Sequence, residues 1–570
     1  MVNKKIKGFL ICGNDVYTPG ALQQRVDFIK KIMNEWIEES ENLVVAIAFP
    51  REKDLIATIL ACLESNIPYL LIDLSLPKAR LQYMIDNANI KTAITSSATT
   101  LDIEIMQKIC MDEMDTNENT MIRTSSKFVH DVAYILYTSG STGKPKAVQV
   151  TRIGLLNVIN SVPKIIDFQS ANTVVSFTSC SFDIFFVETI LALWEGVNVV
   201  IADDYACKNP KSMLRLLKDY KADMYQSTPA RLQMLIAVDK DLESLKQLSV
   251  IILGGEKFPN SLRKLLQEKT NAKIYNGYGP TETTIYSTIS DLTNSPYTDI
   301  GVALGNTEIY LMDQNLQIVP REEIGEICIS GDGLALGYLN NREQTDKAFK
   351  QYQKIRIYCT GDLGQYDKNG KLLYCGRKDS QVKILGHRIE LDEIDAVIEN
   401  IAAILQSVTC YDEKSNLLIS FYKSNSDIPE DEIRSNLDRF LPDYMIPSRF
   451  IRTDQFLYTS SGKISKKEQL KTYYAKNIIK AKGTDDSDDF ILNGVLKVID
   501  QIIKCKDTSV SKGTELKSLG INSLMYASFI VKLEEAFHME FGIDYFLIDS
   551  FRNVGDIVDY VKLNKDRLVV

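Results

Sequence analysis

The sequence predicts three successive folding units. These are a large α/β unit over residues 1–379, a small α+β unit over 380–474 and, after a linker at 475–488, an all-α four-helix unit over 489–570. Three observations carry this expectation. A chain of 570 residues is too long for one hydrophobic core. Up to about residue 380, short apolar runs alternate with helical patterns, as strands and helices do in α/β proteins. From Phe490 onward, apolar residues instead recur at three- and four-residue spacing.

Taken in order, the strand runs of the large unit are clearest at Val44–Phe49, Tyr69–Ile72, Val132–Leu136 and Val250–Leu253. Helical patterns lie between them, as at Lys211–Tyr220 and Ser261–Glu268. The small unit combines a helix at Leu391–Ile401, a strand pair and a basic final segment. The acidic stretch Lys482–Asp489 has no apolar period and reads as linker. Phe490–Ile503 and Leu524–Phe537 are amphipathic helices.

Composition narrows the partners. A net charge of −9 argues against nucleic acid, which wants a basic face. The ten cysteines form no CxxC pair, which suits a reducing compartment and gives no zinc signature. His130, His387 and His538 are far apart, against histidine-based metal or triad chemistry. The apolar run Gly8–Cys12 is too short for a signal peptide, and no stretch reaches membrane-span length, so a cytoplasmic protein is expected.

Four runs suggest chemistry. Tyr137–Lys146 follows a strand and is rich in small hydroxyl residues, glycine and lysine, which lets backbone N–H groups approach a phosphate. It is not a Walker A loop, because Pro145 follows Lys144. In Asn276–Thr283, Gly279-Pro280 favours a turn, Tyr278 offers an aromatic face and Glu282 a hard oxygen for Mg²⁺. Tyr358–Asp362 places an acid after a strand, suited to ribose hydroxyls. Gly376–Ile384 leads into Gly386-His387-Arg388-Ile389-Glu390. Singly, each also reads as loop punctuation with solvated charge; their joint order is what counts.

Together with Gly325-Glu326-Ile327, Gly331–Tyr338 and Ser461-Gly462-Lys463-Ile464, these runs resemble the adenylate-forming superfamily from about Tyr17 to Leu470. That superfamily includes acyl- and aryl-CoA ligases, luciferases and nonribosomal peptide synthetase adenylation domains. Ala147, Asn66-Ile67-Pro68 and Leu336 depart from its usual pattern, none at an expected catalytic side chain. The resemblance implies that Thr138, Ser139, Gly140, Ser141, Thr142, Gly143 and Lys144 hold the ATP phosphates. It places Tyr278 on adenine with Gly255, Glu256, Asn276, Gly279 and Thr281 nearby, Asp362 and Arg377 on the ribose, and Mg²⁺ on Glu282. Lys463 bridges substrate carboxylate and α-phosphate, Thr138 and Glu282 share the catalytic role, and Asp379 is the hinge of a mobile 380–474 unit. Lys463 also reads as one solvated lysine of a basic tail.

Ser181-Phe182-Asp183 resembles the amino-acid-activating branch, where the aspartate pairs with the substrate ammonium; the plainer reading is a helix N-cap. Its pocket positions are Asp183, Ile184, Val187, Gln226, Ile252, Gly254, Gly277, Ile285, Tyr286 and Lys463, a set most like glycine-activating pockets, with alanine next. The alternative is an acyl-acid ligase loading a non-amino carboxylic acid onto a fused acyl carrier. A third reading is a non-catalytic platform.

Leu519–Leu524 resembles a peptidyl carrier motif, with Asn522 in place of the usual aspartate before Ser523. Ser523, otherwise a plain N-cap, is then the attachment point of 4′-phosphopantetheine. The implied partners are a small amino acid, a phosphopantetheinyl transferase and a condensation or tailoring enzyme in trans, with a small activator protein as a candidate. The implied setting is nonribosomal peptide or other secondary-metabolite synthesis.

Overall fold

The computed structural model describes residues 4–37, 43–114, 131–140, 143–239, 241–384, 386–413, 417–458, 464–477, 490–503, 510–516, 519, 521, 523–537, 539–546 and 550–564. Two sheets form the body of the large unit. One has six strands in the order Gln107–Cys110, Thr92–Thr95, Val45–Ala48, Tyr69–Leu71, Val132–Thr138 and Lys146–Thr151, parallel except for the last pair. The other has nine strands, with a parallel centre running Leu10–Cys12, Asn198–Ile201, Thr173–Ser176, Met224–Ser227, Val250–Gly254 and Lys273–Tyr278.

Central parallel strands are covered on both faces, which is why they read as unbroken apolar runs. Val45–Ala48 and Val250–Gly254 are buried at every position. One apolar core joins the sheets, with Val45 and Val148 on one side and Val174, Val199 and Ile252 on the other. A third, antiparallel sheet holds Thr307–Met312, Gly325–Gly331, Ile355–Tyr366, Phe349–Tyr352 and Leu372–Arg377. Its register sets Asp362 opposite Arg377.

The small unit begins with the hairpin Gln381–Ile384 and His387–Glu390. Beyond it, the strands Ile404–Asp412, Leu417–Ser424 and Arg449–Arg452 form a sheet. The helices Leu391–Glu399 and Glu430–Leu437 close a separate core around Ile394, Ile433 and Leu437. The helix Lys466–Asn477 runs past the expected linker start at 475, and the acidic stretch from 482 to 489 lies outside the described residues.

At the C-terminal end, the helices Phe490–Ile503, Ser523–Phe537 and Val554–Asn564 surround Val495, Phe529, Leu533 and Ile557. The 3₁₀ turn Ile543–Phe546 is the short fourth helix. This unit packs its Ser523–Phe537 helix on the large unit's Pro229–Val238 helix, and Val238 joins its core. Lys211 secures the contact: its ammonium donates to Glu534 at 2.7 Å and to the Phe541 carbonyl at 3.1 Å, and lies 4.0 Å from the Phe546 ring centre. The Tyr205 hydroxyl donates to Asp544 at 2.8 Å.

Candidate active site

A cavity of about 160 Å³ opens where the sheets and the small unit meet. Its wall takes Tyr134, Thr138 and Ser139 from one strand and its following turn, Asp183, Ile184, Phe186 and Ile190 from the segment after Ser181, and Gly255 from the turn after Val250–Gly254. Gly279, Thr281, Ile285, Tyr286, Asp362 and Arg377 complete the large unit's share. Lys383, Gly386, His387 and Arg388 enter from the small unit's hairpin.

Sequence-predicted residues divide into three sets. Thr138, Ser139, Asp183, Ile184, Gly255, Gly279, Thr281, Ile285, Tyr286, Asp362 and Arg377 meet at the wall. Others stand behind it. Gln226 donates to the Ile184 carbonyl at 2.6 Å, Asn276 to the Asp299 carbonyl at 2.7 Å, and Val187 and Ile252 are core. Tyr278, expected on adenine, is buried and donates its hydroxyl to Asp362 at 2.8 Å. Glu256 accepts from the Gly386 N–H, and the Lys144 ammonium lies 5.4 Å from the Tyr83 ring centre. Ser141, Thr142 and Lys463 lie outside the described residues. Ser523 begins its helix, but its side chain is not among those described.

The Asp183 end of the cavity is built on irregular backbone. The expected helix Ile184–Trp194 opens into a π turn at Val187–Leu191 before closing as Ala192–Glu195, a device common at binding sites. Thr284 and Ile285 have φ of 62° and 63°, a costly conformation for β-branched residues. Among the described residues, Asp183 Oδ2, the hydroxyls of Tyr134 and Tyr286, and Gln226 Oε1 are buried with no hydrogen-bond partner. Burial pushes the Asp183 carboxyl up to about 6. A partnerless, fully buried carboxylate oxygen is costly and suits an incoming cation. Tyr286 seals the floor: a Cβ added at Gly277 lies 2.4 Å from its ring.

The Asp362 end of the cavity is covered by the small unit. Arg377 donates to Asp362 at 2.5 Å and twice to Asp379 at 2.7 Å. Arg388 donates to both Glu282 oxygens at 2.9 Å, and the Tyr338 hydroxyl donates to Glu282 at 2.7 Å. Burial raises the Glu282 carboxyl, but Arg388 and Tyr338 outweigh it and hold the group below the usual range. At the Ser139–Lys144 loop, the Gly140 N–H donates to Glu393 at 2.9 Å, and Arg80 pairs with Glu393 at 2.8 Å. Ser139 donates to the Arg388 carbonyl at 2.7 Å. The small unit thus sets a carboxylate where a phosphate is expected and a guanidinium where a cation is expected. In this arrangement Glu282 does not fit Mg²⁺, because Arg388 takes both its oxygens. The Gly140 N–H thus already meets an anion.

Arg388, Glu393, Arg80 and Tyr134 carry no role in the sequence reading. Arg388 lies within the quoted Gly386–Glu390 run, so its position was visible but its partner was not. Thr228, the N-cap of the helix on which the C-terminal unit packs, lines the same cavity, which therefore extends toward that unit.

No described helix is long and apolar enough to cross a membrane. Residues 9–339 match the AMP-binding enzyme family, and residues 493–561 match the phosphopantetheine attachment site. The chain is 34% identical over 442 residues to a dimodular nonribosomal peptide synthase of Bacillus subtilis (strain 168), covering 74% of this chain but only 18% of that protein. It is 31% identical to zwittermicin A synthase ZmaJ of Bacillus cereus, covering 74% of this chain and 84% of that one. Among solved structures, holo-PA1221, an NRPS protein with adenylation and PCP domains bound to a vinylsulfonamide inhibitor, superposes with a TM-score of 0.80 at 21% identity, covering 98% of this chain and 94% of that one. AMP-binding enzymes use ATP and Mg²⁺, and the attachment-site unit carries covalent 4′-phosphopantetheine. The chain therefore belongs to the AMP-binding, adenylate-forming enzyme family, as a nonribosomal peptide synthetase adenylation domain fused to a peptidyl carrier domain.

Proposed function

We propose that the chain activates a small amino acid, glycine first and alanine next, as its adenylate and loads it onto the arm at Ser523. The observation that carries the amino-acid reading is Asp183. Its buried, partnerless oxygen shares a cavity with Asp362 and Arg377. Asp183 pairs with the α-ammonium, and Tyr286, lying on the Gly277 backbone, leaves room for little side chain. A non-amino acid would leave the carboxylate unpaired.

Asp362 and Arg377 hold the ribose, and the Ser139–Lys144 loop holds the phosphates. Lys463 bridges the substrate carboxylate and the α-phosphate. The carboxylate oxygen attacks the α-phosphorus and pyrophosphate leaves, with charge on the phosphoryl oxygens met by these preorganised donors. The arm, when attached, supplies the acceptor thiol. Arg388 on Glu282 and Glu393 on Gly140 fit the state after pyrophosphate departure, with the carrier held by Lys211 and Asp379 as the hinge between states. A transferase that modifies Ser523 and an enzyme that collects the aminoacyl group in trans complete the scheme.

Intact mass tests it. The holo chain given ATP and glycine is expected to gain one glycyl group, removable by hydroxylamine and absent in Ser523→Ala. A wild type that accepts no amino acid, or a Ser523→Ala chain that still does, overturns the reading.

A further inference from the structure

The third sheet holds a thiol pair that the proposed chemistry does not use. Cys328 and Cys359 are cross-strand partners in antiparallel pairing, so their side chains share one face. Their sulfurs are 3.7 Å apart. Both sulfurs and a carboxylate oxygen of Glu326 lie within 4.8 Å of one another. Cys328 is fully buried and Cys359 partly exposed, so the cluster has one open side. The Cys328 thiol donates to the Cys359 sulfur.

Two thiolates on a tetrahedral Zn²⁺, each at about 2.3 Å, stand roughly 3.7 to 3.8 Å apart. The two sulfurs already have that spacing without a metal. We propose that Glu326, Cys328 and Cys359 form a binding site for a soft divalent cation of the Zn²⁺ class, with water at the open fourth position. Binding releases both thiol protons to solvent. The resulting cluster (two thiolates, one carboxylate and a dication) carries a net negative charge. The Lys378 ammonium, 2.5 Å from Glu326 and half exposed, balances it. Sequence spacing hides the site, because its sulfurs lie 31 residues apart on two strands.

Occupancy acts on the nucleotide end. Glu326 accepts the Gly361 N–H at 2.9 Å. Gly361 has φ of +77°, and a Cβ there would lie 2.5 Å from Arg377 Nη2, so this kink in the strand Ile355–Tyr366 seats the Asp362–Arg377 pair. A cation that draws Glu326 away loosens the kink and weakens ATP binding. This consequence rests on the proposed ribose role of Asp362; the binding itself does not.

The test uses the full chain, reduced and metal-free, titrated with Cd²⁺ and followed by thiolate-to-cadmium ultraviolet absorption. One equivalent of Cd²⁺ is expected to give saturable absorption, lost in Cys359→Ser and Cys328→Ala and kept in Cys375→Ser, whose exposed thiol is the control. Near-ultraviolet circular dichroism unchanged in Cys359→Ser excludes misfolding as the cause. Zn²⁺ is expected to displace the cadmium signal and to raise the KM for ATP several-fold in the wild type but not in Cys359→Ser. Absorption undiminished in Cys359→Ser, or absent from the folded wild type, overturns the site whatever the enzyme activates.

Discussion

Asp183→Asn separates what the carboxylate does for the substrate from what it costs the fold. The carboxylate is largely withdrawn from water, and this desolvation sets its pKa at about 6, against an ordinary 3.8. Holding it ionised therefore costs the ligand-free protein about 3 kcal/mol above pH 7. The sign follows from the raised native pKa. Between 3.8 and 6 the folded chain binds more protons than the unfolded one, so the penalty is full at high pH and fades as pH falls. At pH 5 about half of it remains. Asparagine keeps the volume without the charge. Urea unfolding of the ligand-free large unit can be followed by fluorescence, because both tryptophans, Trp36 and Trp194, lie in it. The variant is expected to gain up to about 3 kcal/mol at pH 7.5 and about half as much at pH 5. Its kcat/KM for amino acid should fall at least about thirtyfold, since a buried charge partner is worth 2 kcal/mol or more. A variant that is less stable than wild type at pH 7.5, or whose gain does not depend on pH, refutes the reasoning.

Removing Lys211 leaves Glu534 buried without its ammonium, so Lys211→Ala should slow self-loading about tenfold or more while amino-acid-dependent ATP–pyrophosphate exchange is unchanged. The swap Lys211→Glu with Glu534→Lys should restore part of the loading rate. Arg388→Gln frees Glu282, so MgATP should bind more tightly in exchange assays, while loading slows about tenfold and becomes more sensitive to added pyrophosphate. Tyr286→Ala opens the floor beside Gly277. The preference should shift from glycine toward valine or leucine by a factor of roughly ten to a hundred, read as relative kcat/KM in exchange.

Local patterns were legible in the sequence because they are local. The runs Val44–Phe49 and Val250–Leu253 are strands within a residue of their expected ends, and Asp362 faces Arg377 across one hairpin. Thr138, Ser139, Asp183 and Tyr286 reach one cavity from motifs scattered along the large unit. What escaped depends on contacts between distant segments. Arg388 meets Glu282 across 106 residues and Glu393 meets Gly140 across 253, and neither pairing leaves a spacing signal. Tyr134 sits in an apolar strand run and reads as core, though it lines the cavity and its buried hydroxyl has no partner among the described residues. The π turn at Val187–Leu191 escaped for another reason: an apolar run shows helix but not its pitch. Tyr278's hydroxyl bond to Asp362, across 84 residues, likewise left no spacing signal.

The most direct test of the central claim is ATP–pyrophosphate exchange across a panel of amino acids and matched carboxylic acids lacking the α-amino group. The account predicts the fastest exchange with glycine, slower exchange with alanine, and none with acetate or propionate. Exchange driven by a carboxylic acid without an ammonium, or by no amino acid in the panel, contradicts it.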